Sequence, residues 1–324
     1  ALGGIRFFPY ASLEEAATDA TRLARGMTHK AAMAELGFGG GKSVVMVHPA
    51  HKTRALLESF AEAVNRLEGL YICAPDYGCT VEDIQVIREV IRYVVSVPGD
   101  QGSGDPSPFT ARGTVIGMQT TLQYLFGTPS FKGKKVAIQG LGSVGYKIAE
   151  QLFWMGAELV VADPCKEKTQ AAKRYFGASV VSTEDILQQD CDIFAPCALG
   201  GVINGHTIEK LRCRAIVGCA NNQLLDDADA KLLKDKDILY APDFVVNAGG
   251  LMNVSFELNE EGYKPALARN KLDQIAVTLD KIFQLAEEND SSTQAAVMAL
   301  IEYRLKHRIG QRKQPVCFHE PVGV

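Results

Sequence analysis

The sequence has no excess of positive charge. It carries 34 Lys and Arg against 38 Asp and Glu, mixed along the chain, for a formal net charge of −4. Without a basic surface a nucleic-acid or other polyanionic partner is not expected. No apolar run reaches bilayer length and no leader-like segment is recognisable. The longest apolar stretches, such as residues 193–199, suit buried strands, so neither a membrane span nor export is expected. Histidine is sparse, and the six (His29, His48, His51, His206, His307 and His319) show no ligand spacing. No metal site is expected, and His48 and His51 bracket a proline turn in a way that suits solvated side chains. The eight cysteines (Cys73, Cys79, Cys165, Cys191, Cys197, Cys213, Cys219 and Cys317) form no C-x-x-C pair. They read as reduced thiols of a cytoplasmic protein. Fixed-period repeats and low-complexity tracts are also missing.

What remains is a 324-residue chain that is 47% apolar, enough for two domains with sizeable cores. It opens on Ala1-Leu2-Gly3-Gly4 without methionine and with little room for a first structural element. A preceding N-terminal segment is therefore expected. Residues 12–26 read as a helix with Ser12 and Glu15 as a capping box. Residues 42–47 read as a strand and 52–68 as a helix with apolar residues at Leu56, Phe60, Val64 and Leu67. A further helix opens at Thr80 or Val81 with Glu82 and Asp83 at its positive end. Residues 98–108, rich in Gly, Pro, Ser and Asp, are the candidate hinge or active-site loop. After residue 130 short β-branched runs (136–139, 158–162, 179–181, 192–194, 215–218, 238–240) alternate with helical stretches. That is the rhythm of βαβ units and a parallel sheet. Residues 266–308 are largely helical. The expected fold is α/β with two domains and a cleft between them. A substrate domain of residues 1–108 is completed by C-terminal helices from 291 to 324, and a Rossmann-type nucleotide domain covers 109–290.

Two chemical signals stand out. VAIQGLGSVG sets Gly140, Gly142 and Gly145 in a G-x-G-x-x-G pattern between a strand and a helix. Such glycines allow a tight turn, close approach to a pyrophosphate and close helix–strand packing, with the anion at the helix N-terminus. The following strand ends at Asp163, where a carboxylate accepts hydrogen bonds from a ribose 2′-hydroxyl and repels a 2′-phosphate, so NAD is expected over NADP. The second signal lies in the first third. Lys30 and Lys42 stand near one another, and Gly39-Gly40-Gly41 before Lys42 leaves room for a ligand at the backbone. Mutual repulsion and burial would lower a lysine pKa enough for a base near neutral pH. Taken locally, the same lysines also read as ordinary surface residues. Asp76, ahead of Gly78 at a strand–helix junction, reads equally as a proton shuttle or a turn-capping acid.

The ordered set ALGGIR, RLARGMTHK, GFGGGK, YICAPDYGCTVED, GSGDPSPFTARG, QGLGSVG, DIFAPCALGG, CANNQL and YAPDFVVNAGGL resembles the glutamate/leucine/phenylalanine/valine dehydrogenase family. The likeness runs from residue 1 to about 305 and makes the chemical readings of the lysines and the acid the expected ones. The resemblance implies that Lys30 binds the substrate α-carboxylate and that Lys42 is the catalytic lysine that activates water. It makes Asp76 the acid that shuttles a proton to and from the substrate nitrogen. It puts Thr110 and Asn222 at the nicotinamide end, Pro196, Cys197 and Ala198 along the cofactor crevice, and Asn247 and Gly3 beside the substrate. Ser143, Val144 and Ala220 join Gly140, Gly142, Gly145 and Asp163 as cofactor contacts. A homo-oligomer, often an octamer in relatives, is implied as well.

The same resemblance bears on the substrate. Leu2 and Val254 stand where glutamate-acting members carry a lysine and a serine, and Leu251 lines the same pocket. A buried, unpartnered side-chain carboxylate there would cost several kcal/mol, roughly, so glutamate is not expected. Ala74 matches members that act on leucine, where phenylalanine-acting ones tend to have glycine. The implied reaction is NAD-dependent oxidative deamination of leucine, valine or isoleucine. The alternatives are an aromatic amino acid (phenylalanine or tryptophan) and a catalytically silent NAD-binding homologue. His29, Tyr77 and the tail 311–324 match no family role.

Overall fold

The computed structural model describes residues 1–99 and 102–318. His319 and the end of the tail lie outside the described residues, as do two positions of the loop 98–108. The chain divides into two compact units. One is Ala1–Pro106 with Leu251–Lys271 and the residues from Arg304 on; the other is Ser107–Gly250 with Leu272–Tyr303.

The first unit is built on a three-stranded parallel sheet, β1 (Leu2–Phe7), β2 (Ser43–Val45) and β3 (Ile72–Pro75), in the order β2-β1-β3. The opening residues, expected to leave little room for a first element, form its central strand. Two glycines weaken the β signal of LGGIRF, but burial and pairing on both sides override it. Strand alternation divides the roles of β1. Ile5 and Phe7 enter a core with Leu57, Ala61 and Val64 of the helix Arg54–Asn65 and Ile84 and Ile87 of the helix Val81–Val90. The other face carries Gly4 and Arg6. Thr80 and Asp83 cap the helix Val81–Val90 reciprocally.

The first long helix runs over Leu13–Met33, past Gly26 where the sequence suggests an end. An interior glycine costs only about 1 kcal/mol, and buried Ala31 and Met33 anchor the last turn. Ser12 Oγ accepts the Glu15 N–H at 3.1 Å, but the Glu15 carboxylate turns to the Ala11 N–H at 2.9 Å, so only half of the expected box forms.

The second unit holds six parallel strands: β4 (Lys135–Gln139), β5 (Glu158–Ala162), β6 (Ser179–Val180), β7 (Cys191–Pro196), β8 (Cys213–Ile216) and β9 (Leu239–Tyr240). Their order is β6-β5-β4-β7-β8-β9. Strand order reverses between β4 and β7, the switch point where such sheets bind ligands beyond their carboxyl ends. Val136, Ala137, Ile138, Ile193 and Ala195 are fully buried, as expected where helices cover both faces. The helix Ser107–Phe126, buried along most of its length, was not anticipated. Its exposed polar stripe is narrow (Arg112, Gln123), and Thr114, Thr120 and Thr121 are buried on the other side, so polarity and exposure do not separate into the two faces that periodicity detects.

The boundaries near the C-terminus differ from the expected completion of the first domain by helices from 291. Thr293 Oγ1 donates to Tyr240 O at 2.6 Å and Gln294 Nε2 to Asp227 Oδ1 at 3.0 Å, which ties the start of the helix Thr293–Lys306 to the second unit. Arg304 Nη1 reaches back to Met33 O at 2.8 Å and Nη2 to Glu35 at 3.1 Å, so the chain rejoins the first unit there. Residues 251–271 belong to the first unit through Glu257. Its buried carboxylate accepts the N–H groups of Ser96 (2.8 Å), Val97 (3.5 Å) and Ser103 (2.8 Å), and the Ser103 hydroxyl. Burial raises the Glu257 pKa despite those four donors. Among the described residues no helix is long and apolar enough to cross a membrane.

Glu257→Ala leaves these backbone donors without their acceptor, at roughly 1–3 kcal/mol per buried group. Amide hydrogen exchange at Ser96, Val97 and Ser103 is expected to accelerate strongly, while amides of β4 and β7 keep their rates.

Candidate active site

In the first unit the carboxyl end of β3 delivers Asp76, and the residue before β2 delivers Lys42. Lys42 Nζ lies 2.6 Å from Asp76 Oδ2, and the Lys42 side chain is only 5% exposed. The same oxygen accepts Arg6 Nε at 3.1 Å, while Arg6 Nη1 is 3.1 Å from Asp19 Oδ2. Tyr10 donates its hydroxyl to that Asp19 oxygen. The arrangement depends on Gly4: a Cβ there would sit 2.6 Å from Asp76 Cβ and 3.1 Å from Lys42 Nζ.

Burial lowers the Lys42 pKa, against the pull of Asp76. Among the charges acting on Lys42, the like charge is that of Arg6, which the sequence reading did not single out. Burial pushes Asp76 upward, but Lys42 and Arg6 outweigh it and hold the carboxyl below the ordinary 3.8. Asp76 therefore contributes stability above its unfolded pKa, and that contribution is lost as pH falls through the depressed folded value. The Arg6–Asp19–Tyr10 chain escaped the sequence reading. The signal was there: Arg6 follows Gly4 by one strand period, but reading it requires the strand at β1 to be recognised first.

The glycines before Lys42 serve a different purpose from the one expected. A Cβ on Gly40 would lie 2.2 Å from Thr28 N, and one on Gly41 would lie 2.7 Å from the Tyr71 ring. They admit the protein's own helix and aromatic ring; only Gly39 has open space. Gly3 is required by Gly41, whose carbonyl would lie 1.6 Å from a Cβ. Lys30 rides half-buried in the last turn of the helix Leu13–Met33. Ala74 pairs with Gly4 across the sheet. Leu2, Leu251 and Val254 are buried apolar groups of this unit, at 1%, 8% and 3% exposure.

In the second unit the glycine turn joins β4 to the helix Ser143–Trp154. Gly140 has φ +100°, and a Cβ on Gly145 would meet Gly140 O at 2.1 Å. Gly142 is the N-cap and offers no side-chain cap, so the N–H groups of the first turn, near Ser143 and Val144, are left for a ligand. Asp163 Oδ2 accepts Leu141 N–H inside the turn at 2.6 Å, and Oδ1 accepts Cys165 N–H at 2.9 Å. The acid is thus fastened against the glycine turn, and each oxygen keeps a second lone pair.

The loop after β7 closes on the same turn. A Cβ on Gly140 would be 2.8 Å from Ala198 Cβ, one on Gly145 3.2 Å from Cys197 Cβ, and Pro196 O accepts Ala220 N–H at 2.9 Å. Asn222, at φ +53°, donates its N–H to Asp243 Oδ2 at 2.5 Å. Asn247 Nδ2 donates to Cys219 O at 3.1 Å and to Asn221 Oδ1 at 3.0 Å, yet its buried Oδ1 has no hydrogen-bond partner. One unit thus holds an orphaned buried acceptor, an uncapped helix start and a glycine cradle, which fit a ligand that brings donors and an anion, as a nicotinamide dinucleotide does. Thr110 lies in the first turn of the helix Ser107–Phe126. Among the described residues no group of three His, Cys, Asp or Glu could hold a metal ion. His48 and His51 are exposed.

A dinucleotide platform in one unit and a desolvated amine–carboxylate pair in the other define a nucleotide-dependent oxidoreductase. Residues 1–93 match the Glu/Leu/Phe/Val dehydrogenase dimerisation domain, and residues 102–164 and 161–306 match the Glutamate/Leucine/Phenylalanine/Valine dehydrogenase model. The chain belongs to this family and is an amino acid dehydrogenase. It is 44% identical over 308 residues to leucine dehydrogenase of Thermoactinomyces intermedius, covering 94% of this chain and 84% of that one. It is 43% identical over 317 residues to phenylalanine dehydrogenase of Caldalkalibacillus thermarum, covering 95% and 85%. The crystal structure of L-tryptophan dehydrogenase from Nostoc punctiforme superposes with a TM-score of 0.81 at 40% identity, covering 95% of this chain and 88% of that one.

Gly4→Ala is expected to lower stability by about 1–3 kcal/mol through overpacking against Asp76 and Lys42. Gly39→Ala, which meets nothing within 4 Å, should stay within about 0.5 kcal/mol. Thermal unfolding midpoints of the two variants check the contrast.

Proposed function

We propose that the protein catalyses the reversible NAD-dependent oxidative deamination of a branched-chain L-amino acid (leucine, valine or isoleucine) to the 2-oxo acid and ammonium. The observation that carries this reading is the Lys42 amine, kept from water, depressed in pKa and 2.6 Å from an ionised Asp76. When bound, the nicotinamide accepts the substrate α-hydrogen as hydride. Lys30 pairs with the substrate α-carboxylate. Neutral Lys42 takes a proton from the water that adds to the substrate iminium carbon; as an ammonium it then stands beside the developing negative oxygen. Asp76 passes the Lys42 proton on to the substrate nitrogen; Lys42, neutral again, takes the hydroxyl proton as the C–N bond breaks, so that the carbonyl forms and the nitrogen leaves as ammonia, which that proton makes ammonium. Asn247 Oδ1 offers an acceptor to a bound amide or amine.

The pinning of Asp163 against the glycine turn supports NAD over NADP, because a 2′-phosphate there would face a carboxylate. Gly140, Gly142, Ser143, Val144 and Gly145 would cradle the pyrophosphate, and Thr110, Cys197, Ala198, Ala220 and Asn222 would flank the rest of the cofactor. The apolar character of Leu2, Leu251 and Val254 supports an aliphatic side chain over glutamate, and Gly3 and Ala74 complete the substrate set. A methylene in such a pocket is worth only ~1–3 kcal/mol, so the three branched substrates should overlap. The comparable identity of the phenylalanine- and tryptophan-acting relatives favours an aromatic substrate as the second reading. A homo-oligomer in the cytoplasm is part of the same proposal; the match of residues 1–93 to a dimerisation domain supports the assembly.

Initial rates over a panel of L-amino acids, followed by NADH absorbance, test the substrate. Leucine, valine and isoleucine should lead; higher turnover of phenylalanine or tryptophan would establish the second reading. Lys42→Ala is expected to lower kcat by about two to four orders of magnitude while NAD still binds, and near-normal turnover would contradict the role given to Lys42.

A further inference from the structure

Asp76 is held asymmetrically. Lys42 Nζ (2.6 Å) and Arg6 Nε (3.1 Å) both donate to Oδ2, whereas Oδ1 accepts no hydrogen bond among the described residues. The Asp76 side chain is 22% exposed, so its second oxygen is open to an incoming donor. Arg6 is itself fixed. β1 carries it on the same face as Gly4, and Asp19 of the helix Leu13–Met33 takes its Nη1 at 3.1 Å. Tyr10 secures Asp19 from behind. A cavity of about 560 Å³ lined by Arg6, Tyr10, Asp19 and Arg22, among others, lies at this outer end.

We infer that Arg6 is the positioning residue of the acid–base pair: braced by Asp19, its guanidinium holds one Asp76 oxygen beside the Lys42 amine and leaves the other to exchange the proton with the substrate nitrogen. This rests on the proposed deamination, for which it supplies the orienting group. A carboxylate bound through one oxygen by a planar donor keeps a fixed rotamer, and a group misplaced by about 1 Å can lose a hundred-fold in rate. Arg6 also sets the ionisation of both partners, since its charge favours the Asp76 carboxylate and disfavours the Lys42 ammonium. Other titratable groups that act on the pair include Asp19, backed by Tyr10, and Tyr71 and Cys79, which flank β3. Burial raises both of the last two, Cys79 to about 12, so they stay neutral over the working range.

The test uses the full chain with Arg6→Gln, Arg6→Lys and Asp19→Asn. Carbon-13 NMR titration of the Asp76 carboxyl, assigned with Asp76→Asn, needs no turnover. Arg6→Gln should raise the Asp76 pKa, Asp19→Asn should leave it low because the cation remains, and Arg6→Lys should hold it near the wild-type value. With substrate, Arg6→Gln should lower kcat by about a hundred-fold, leave the KM for NAD unchanged and move the acid limb of kcat/KM to higher pH. Arg6→Lys should restore part of kcat and return the limb. An unchanged carboxyl titration in Arg6→Gln overturns the inference, as does an unshifted acid limb in a variant that folds. Wild-type protein that turns over no amino acid contradicts the proposed reaction instead, and the carboxyl titration still decides the hold of Arg6 on Asp76.

Discussion

A lysine amine removed from water and set against a single carboxylate oxygen is the constraint around which the first unit is organised. Desolvating two such ions costs several kcal/mol each, roughly, and their attraction offsets this only when geometry and hydrogen bonding are good. The surroundings of Lys42 and Asp76 meet that condition with specific residues. Gly4 leaves the space they share, β1 carries Arg6 to the same oxygen, and the turn after β3 is fixed by the Phe7 N–H to Tyr77 O bond of 2.9 Å. Side chains of β1 divide accordingly between a core-forming face and a chemical face, so a strand with two glycines is stable because both its faces are used.

The second unit solves a different problem, that of offering a site, in the proposed reading one for a bulky anion, with few charges. It does so with backbone. The switch between β4 and β7 opens the sheet end, glycine at 140 and 145 lets loop and helix pack at contact distance, and the uncapped helix start leaves N–H groups without a side-chain partner. Asp163 is fastened to the same turn through the Leu141 N–H. In the proposed NAD reading, the acid that would meet the ribose is thereby part of the turn that would meet the phosphates. The Asn247 Oδ1 orphan marks a polar requirement that the protein alone leaves unmet.

Much of this was readable from the chain. The βαβ rhythm after residue 130, the glycine turn and the helix opening at Thr80 all depend on local signals of period, glycine spacing and capping, and they stand where such signals put them. The misses have physical causes. The strand β1 was hidden by Gly3 and Gly4, whose purpose is set by distant neighbours, namely Gly41 for the first and Asp76 and Lys42 for the second. The helix Ser107–Phe126 was hidden because burial on nearly all sides erases amphipathic period. Arg6 and Asp19 became partners through packing between elements 13 residues apart in the chain, which no local pattern encodes. The glycines at 40 and 41 illustrate the converse error: the sequence marks where backbone must be approached, but not whether a ligand or the protein itself does the approaching.

The whole account turns on the ionisation of Lys42. Nitrogen-15 NMR titration of its Nζ is the most direct measurement. The account predicts a pKa below the ordinary lysine value of 10.5, falling further in Asp76→Asn, where the favourable carboxylate is lost but burial remains. A Lys42 that titrates at the ordinary value and ignores the loss of Asp76 would contradict it.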